Sequence, residues 1–153
     1  MAAVKPIPDG YHSIQPYLYF PNAAEAIAFY KNAFAAKVRL SMPAPGGRVM
    51  HAELEFGDSV IMLSDEAPER GIHAPHHYGG APFSLAFYVE DCDAVYHRAI
   101  AAGAKSLREP ADQFYGDRTA GLEDPYGFQW YLMTHIRDVT AEEMKAAAGQ
   151  PPA

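Results

Sequence analysis

Gln15-Pro-Tyr-Leu-Tyr-Phe20 and Ser84-Leu-Ala-Phe-Tyr-Val89 are one segment pattern written twice, 69 positions apart. Each has the composition of a strand, and each leads into a helix start. Asn22 with Glu25 marks the first helix and Asp91 the second. The offset persists further on, where Ser59-Val-Ile-Met-Leu63 lines up with Phe128-Gln-Trp-Tyr-Leu132. A repeat of this length is a supersecondary unit, and two copies are expected to pack around a shared cleft.

Working outward, Ala26, Ile27, Phe29, Tyr30, Ala33 and Phe34 carry the apolar spacing of a helix. Strands are predicted at Lys37 to Ser41, Val49 to Phe56 and Ser59 to Leu63, the last two joined by the tight Gly57-Asp58 turn. The second copy repeats the order: a helix ended by Gly103, then strands near Lys105 to Leu107, Thr119 to Leu122 and Phe128 to Met133. Asp124-Pro-Tyr-Gly127 reads as its closing turn, and Thr140 with Glu143 as the cap of a short last helix. The predicted fold class is α+β, two tandem βαβββ modules forming a curved mixed sheet around a cleft. The divisions are an arm over 1–13, modules over 14–65 and 83–136, a connecting loop over 66–82, and a C-terminal helix and tail over 137–153.

Composition narrows the function classes. Nearly half of the 153 residues are apolar, with ten Tyr and eight Phe, enough for a real core. A net charge of −7 argues against nucleic acid and suits a cationic small molecule. Cys92 is the single cysteine, so no internal disulfide forms, and a reducing, cytoplasmic setting is expected. No apolar run approaches the ~18 residues of a membrane span.

Alternation then separates two faces. Leu18 and Phe20, Leu85, Phe87 and Val89, Ile61 and Leu63, and Trp130 and Leu132 are expected under the helices. The opposite face would carry Gln15, Tyr17 and Tyr19, Ser84, Ala86 and Tyr88, Val60, Met62 and Ser64, and Gln129, Tyr131 and Met133. A polar and aromatic face of this kind points to a ligand pocket.

These segments resemble the vicinal oxygen chelate superfamily, which includes glyoxalase I, extradiol dioxygenases and fosfomycin- and bleomycin-resistance proteins. The resemblance is carried by Ala24-Glu-Ala-Ile-Ala-Phe-Tyr30, Met50-His-Ala-Glu-Leu, Ser59-Val-Ile-Met-Leu-Ser-Asp65, Gln113-Phe-Tyr-Gly-Asp-Arg118 and Glu123-Asp-Pro-Tyr-Gly-Phe-Gln-Trp130. The last two are most similar to the PhnB-like subgroup. The resemblance implies a homodimer. It also places the metal ligands of metal-dependent members at Gln15, Met62, Ser84 and Tyr131. Thioether, neutral hydroxyl and phenol are poor partners for a divalent ion, so no metal and no other cofactor is expected.

Other groups bear on chemistry. His51 and Glu53 face the same way on one strand and could act as a base with its carboxylate partner, or as relocated metal ligands. His73, His76 and His77 have ligand spacing in a Pro/Gly loop, where clustered histidines are usually solvated. Arg118 could clamp an anion with Asp117 orienting it and Tyr115 stacking over it, or Arg118 could form a structural Arg–Asp pair. The leading expectation is a metal-independent protein that binds an aromatic or cationic small molecule in the cleft. Its expected contacts are Gln15, Tyr17, His51, Met62, Ser64, Ser84, Tyr115, Arg118, Gln129 and Tyr131. The alternative is an enzyme, either a glyoxalase-like lyase or dioxygenase with relocated ligands, or an acid-base catalyst on His51 and Glu53.

Overall fold

The computed structural model describes residues 4–149 and divides at Gly80–Ala81 into two compact units. Each carries the predicted β-α-β-β-β order. In the first unit these are β1 (Tyr17–Phe20), α1 (Ala23–Phe34), β2 (Lys37–Ala44), β3 (Arg48–Phe56) and β4 (Ser59–Asp65). In the second they are β5 (Ser84–Tyr88), α2 (Cys92–Ala101), β6 (Lys105–Asp112), β7 (Asp117–Glu123) and β8 (Gln129–His135), followed by α3 (Ala141–Ala148). The expected curved sheet is two separate four-stranded mixed sheets, ordered β1-β4-β3-β2 and β5-β8-β7-β6. The parallel pairs are β1 with β4 and β5 with β8, and the remaining neighbours are antiparallel.

The repeat is visible in individual hydrogen bonds. The Asn22 side chain caps α1 by accepting from the Glu25 amide, and Asp91 caps α2 by accepting from the Ala94 amide. Asp65 at the end of β4 accepts from the Ala23 amide at 2.9 Å, tying the helix start to the sheet. Thr134, at the same offset in β8, accepts from the Cys92 amide at 2.9 Å. Each bond satisfies a first-turn N–H that the helix itself cannot pair. Thr140 and Glu143 form a reciprocal capping box on α3.

In the first unit Leu18, Phe20, Leu54, Phe56, Ile61 and Leu63 are buried with Phe29, Tyr30 and Phe34 of α1. Tyr30 packs edge-on against Phe20 and Phe56, at 5.9 and 5.5 Å between ring centres. Removing one such ring would cost about 3–5 kcal/mol. In the second unit Leu122, Trp130 and Leu132 are buried with Cys92, Tyr96 and Ala99 of α2. Leu85, Phe87 and Val89, expected under that helix, are only half-buried. The shorter α2 packs mainly over β6, β7 and β8, which leaves the edge strand β5 less covered. Val60 departs in the other direction: expected on the open face, it is 4% exposed. Alternation sets which way a side chain points, not what covers the end of the strand.

Boundaries also moved. Gln15 precedes the first strand, which begins at Tyr17, and β2 and β6 run well beyond their predicted ends. Both long strands carry register shifts, after Val38 in β2 and after Ser106 in β6. In β2 the shift sets Leu40 opposite Glu53 while Val38 faces Leu54, leaving Arg39 as the extra residue of a bulge. Among the described residues no helix is long and apolar enough to cross a membrane.

Candidate functional site

The open face of the first unit is built in register across its strands. Leu40 of β2 lies opposite Glu53 of β3, Glu53 opposite Met62 of β4, and Met62 opposite Tyr17 of β1. The next row contains Met42 opposite His51 and Ser64 opposite Tyr19. Here the N-terminal segment meets the sheet, and the two border an open cavity of about 360 Å³ lined by Ile7, Tyr11, Gln15, Glu53 and Met62, among others. This volume falls in the lower part of the ~300–1,000 Å³ range of small-molecule sites.

Glu53 is the centre of the polar network. It is 4% exposed, and both of its oxygens are engaged. Tyr11 donates its hydroxyl to Oε2 at 2.6 Å, and His51 Nε2 lies 3.1 Å from Oε1. Arg39 Nε stands 3.7 Å from Oε2, while the same guanidinium donates to the carbonyls of Asp9 and Gly10 at 3.1 Å each and lies 4.3 Å above the Tyr11 ring. Burial pushes the Glu53 carboxyl up, but the hydrogen bonds from Tyr11 and His51 and the electrostatic attraction of His51 and Arg39 outweigh it and hold the group below its usual value. The same contact, reinforced by burial and the Glu53 charge, pushes the Tyr11 phenol up.

The chain of contacts continues outward. Tyr17 Oη lies 2.8 Å from His51 Nδ1, and their rings are 5.5 Å apart. Because ionised Glu53 only accepts, His51 Nε2 must carry a proton, and in the neutral ring Nδ1 then accepts the Tyr17 hydroxyl. Tyr17 is exposed, so the chain runs from a buried carboxylate to a hydroxyl at the surface.

The other predicted site residues divide between the two units. Gln15 and Met62 line the cavity, with Gln15 Oε1 accepting from the His12 amide at 2.8 Å. Ser64 is buried and donates to the Asp65 carbonyl at 3.1 Å. Ser84, Tyr115, Arg118, Gln129 and Tyr131 belong to the second unit. Ser84 is exposed and lies opposite Gln129; Tyr131 lies opposite Ala86, with the Arg108 guanidinium 5.8 Å from its ring centre. Arg118 pairs with Asp93 of α2 through Nε and Nη2 and with Asp112 through Nη1 at 2.8 Å. That is the structural arrangement, with Asp93 and Asp112 as the partners. Asp117 instead accepts from Tyr88 at 2.7 Å and contacts His135 Nδ1 at 2.8 Å, and His135 Nε2 reaches Asp138 at 3.0 Å. Half-buried Tyr115 packs against Phe114 at 5.3 Å.

Metal chemistry at Gln15, Met62, Ser84 and Tyr131, the positions that the resemblance implies, can be judged donor by donor. An amide oxygen already engaged by His12, a thioether, a hydroxyl and a phenol do not suit a divalent ion. His73 and His77 stack on each other at 3.7 Å between ring centres, and His76 reaches Glu66 at 3.9 Å. Among the described residues no group of three or more His, Cys, Asp or Glu stands where it could hold a metal ion.

Sequence reasoning missed Tyr11 and Arg39. Tyr11 lies 42 positions from Glu53 in a segment without periodicity, so nothing local signals the contact. For Arg39 a signal existed, since it alternates with Val38 and so faces the Glu53 side.

Comparison with known proteins matches residues 11–132 to the model of the Glyoxalase/Bleomycin resistance protein/Dioxygenase superfamily. The chain is 36% identical over 138 residues to the uncharacterized protein Mb0911c of Mycobacterium bovis, covering 88% of this chain and 91% of that one. Among solved structures it resembles TioX from Micromonospora sp. ML1, with a TM-score of 0.65 at 22% identity over 84% of this chain and 100% of that one. The PhnB protein from Bacillus cereus gives a TM-score of 0.62 at 22% identity, covering 80% and 99% of the two chains. At these identities the two structures speak to the fold alone.

Proposed function

We propose, from the premise that this chain belongs to the Glyoxalase/Bleomycin resistance protein/Dioxygenase superfamily, that it binds an aromatic small molecule on the open face of its first unit without a metal. The observation that carries this reading is the cavity against Tyr11, Gln15, Glu53 and Met62. Met62 offers a polarizable apolar floor, and the exposed Tyr17 ring beside it offers a flat surface for stacking. Gln15 supplies an amide for orientation. Glu53 already has Tyr11, His51 and Arg39 around it, so a bound cation would gain little from that carboxylate. The reading therefore favours an aromatic over a simple cationic ligand. The donor chemistry at Gln15 and Met62 supports a site that works without a divalent ion.

A thermal-shift screen of aromatic, cationic and aliphatic compounds tests the proposal. A true ligand at 100 times its Kd stabilises the folded state by about 2.7 kcal/mol, a readily measured rise in Tm. Aromatic hits whose effect shrinks in Met62→Lys and Tyr17→Ala are the expected result. A screen in which no aromatic compound raises Tm, or in which hits are indifferent to both substitutions, would refute it.

A further inference from the structure

The bonds around His51 run in one direction, from buried Glu53 through the imidazole to an exposed hydroxyl, and binding alone does not require such an arrangement. We infer that Tyr17, His51 and Glu53 form a proton relay, with the Tyr17 hydroxyl as the group that exchanges a proton with the bound molecule. The inference rests on the ligand site proposed above, because Tyr17 adjoins its Met62 wall.

The geometry supplies each part. His51 Nδ1 is 2.8 Å from Tyr17 Oη, and His51 Nε2 is 3.1 Å from Glu53 Oε1, both within hydrogen-bond reach. Glu53 is fixed from its other side by Tyr11 at 2.6 Å and by Arg39 at 3.7 Å, so it cannot turn away. The charged and titratable groups facing His51 are thus Tyr17 from β1, Glu53 from its own strand, with Arg39 of β2 and Tyr11 of the N-terminal segment behind the carboxylate. In the forward step Tyr17 Oη takes a proton from the substrate while its own proton passes to His51 Nδ1. The substrate keeps the bonding electron pair as an anion, and the imidazolium is stabilised by the Glu53 carboxylate. The reverse step returns the proton. The substrate class is a small aromatic molecule whose C–H, N–H or O–H is acidified by its ring or an adjacent carbonyl. In this scheme Tyr17 is the catalytic residue, and His51 and Glu53 act through it as positioning residues.

The probe is 5-nitrobenzisoxazole, a flat carbon acid. A base removes the proton at C3, that electron pair completes the nitrile, and the N–O bond breaks to release a coloured nitrophenolate. Rates are measured for the wild-type chain, Tyr17→Phe, His51→Gln and Glu53→Gln, each checked for folding by circular dichroism. The expected result is a fall in kcat on the order of 100-fold for Tyr17→Phe and His51→Gln, with KM nearly unchanged because the ring and Met62 remain. A purely structural role for His51 would change Tm or KM and leave kcat alone. Wild-type turnover no faster than that of Tyr17→Phe overturns the relay. Binding of the probe is read separately from its effect on Tm. Binding without Tyr17-dependent turnover removes the relay and keeps the ligand site, whereas neither binding nor turnover removes both.

Discussion

Replacing Glu53 with Gln removes one charge from the centre of the site while keeping its size. The carboxylate receives the Tyr11 hydroxyl at 2.6 Å, faces His51 Nε2 at 3.1 Å and stands 3.7 Å from Arg39 Nε. A hydrogen bond to a charged group contributes about 1.5–3 kcal/mol against about 0.5–1.5 for a neutral pair. Two bonds weakened by about 1 kcal/mol each give roughly 2 kcal/mol. Relief from burying a charge offsets part of that, leaving a net loss of about 1–2 kcal/mol. For a chain of this size each kcal/mol shifts Tm by about 2–4 °C, so a fall of roughly 2–8 °C is expected at pH 7. The amide also cannot accept at both ends. With its oxygen toward Tyr11 its NH2 faces His51 Nε2, so the ring must change tautomer and donate to Tyr17 instead.

The pH dependence sharpens the test. Glu53 titrates below its usual value in the folded protein, so its contribution is complete above the unfolded carboxyl value of about 4.3. It is lost as pH falls through the lower folded value. Thermal melts followed by circular dichroism at pH 7 and at pH 3 should therefore show the two proteins converging in acid. A Glu53→Gln chain as stable as wild type at pH 7, or a gap of constant size at both pH values, would refute this account of the network.

Three further outcomes are expected. Untagged protein purified without chelators or nickel resin should carry less than about a tenth of a metal ion per chain by mass spectrometry, and EDTA should leave Tm unchanged. His135 titrates above its usual value through its bonds to Asp138 and Asp117, so its stabilising effect is full below about pH 6.5 and fades as pH rises through the folded value; ring-proton NMR should find the raised value in wild type and a smaller one in Asp138→Asn. Ala35, which ends α1 with φ of +54°, should be improved by Gly, raising stability by up to about 1 kcal/mol in thermal melts.

The fold was legible because the chain states its unit twice. Asn22 and Asp91, Ala23 and Cys92, and Asp65 and Thr134 occupy equivalent places and make equivalent bonds. Alternation put Tyr17 and Met62 on one face, where they lie opposite each other, and gave His51 and Glu53 a shared facing on their strand, because β3 and β4 are regular along their pairing. It was less informative where register shifts. The bulge after Val38 sets Leu40 opposite Glu53, where plain alternation would turn it to the other face, and no residue type announces it. Tyr11 was hidden for another reason. Its partner is distant in sequence, and a turn-rich segment such as Pro8-Asp-Gly-Tyr11 gives no pattern to read. Arg118 shows the limit of residue type as a guide, since an arginine suited to an anionic ligand is engaged by Asp93 and Asp112.

The central claim is that a small aromatic molecule occupies the cavity beside Met62, and the methionine methyl groups report on it directly. The chain has six methionines, with Met62 lining the cavity, Met42 opposite His51, and Met133 and Met144 in the second unit. The decisive measurement is a titration of methyl-labelled protein with the strongest aromatic thermal-shift hit, followed by NMR. The account predicts that the Met62 methyl signal moves and saturates with the ligand while those of Met133 and Met144 stay in place. A saturable shift of Met133 or Met144 with Met62 unmoved would contradict it.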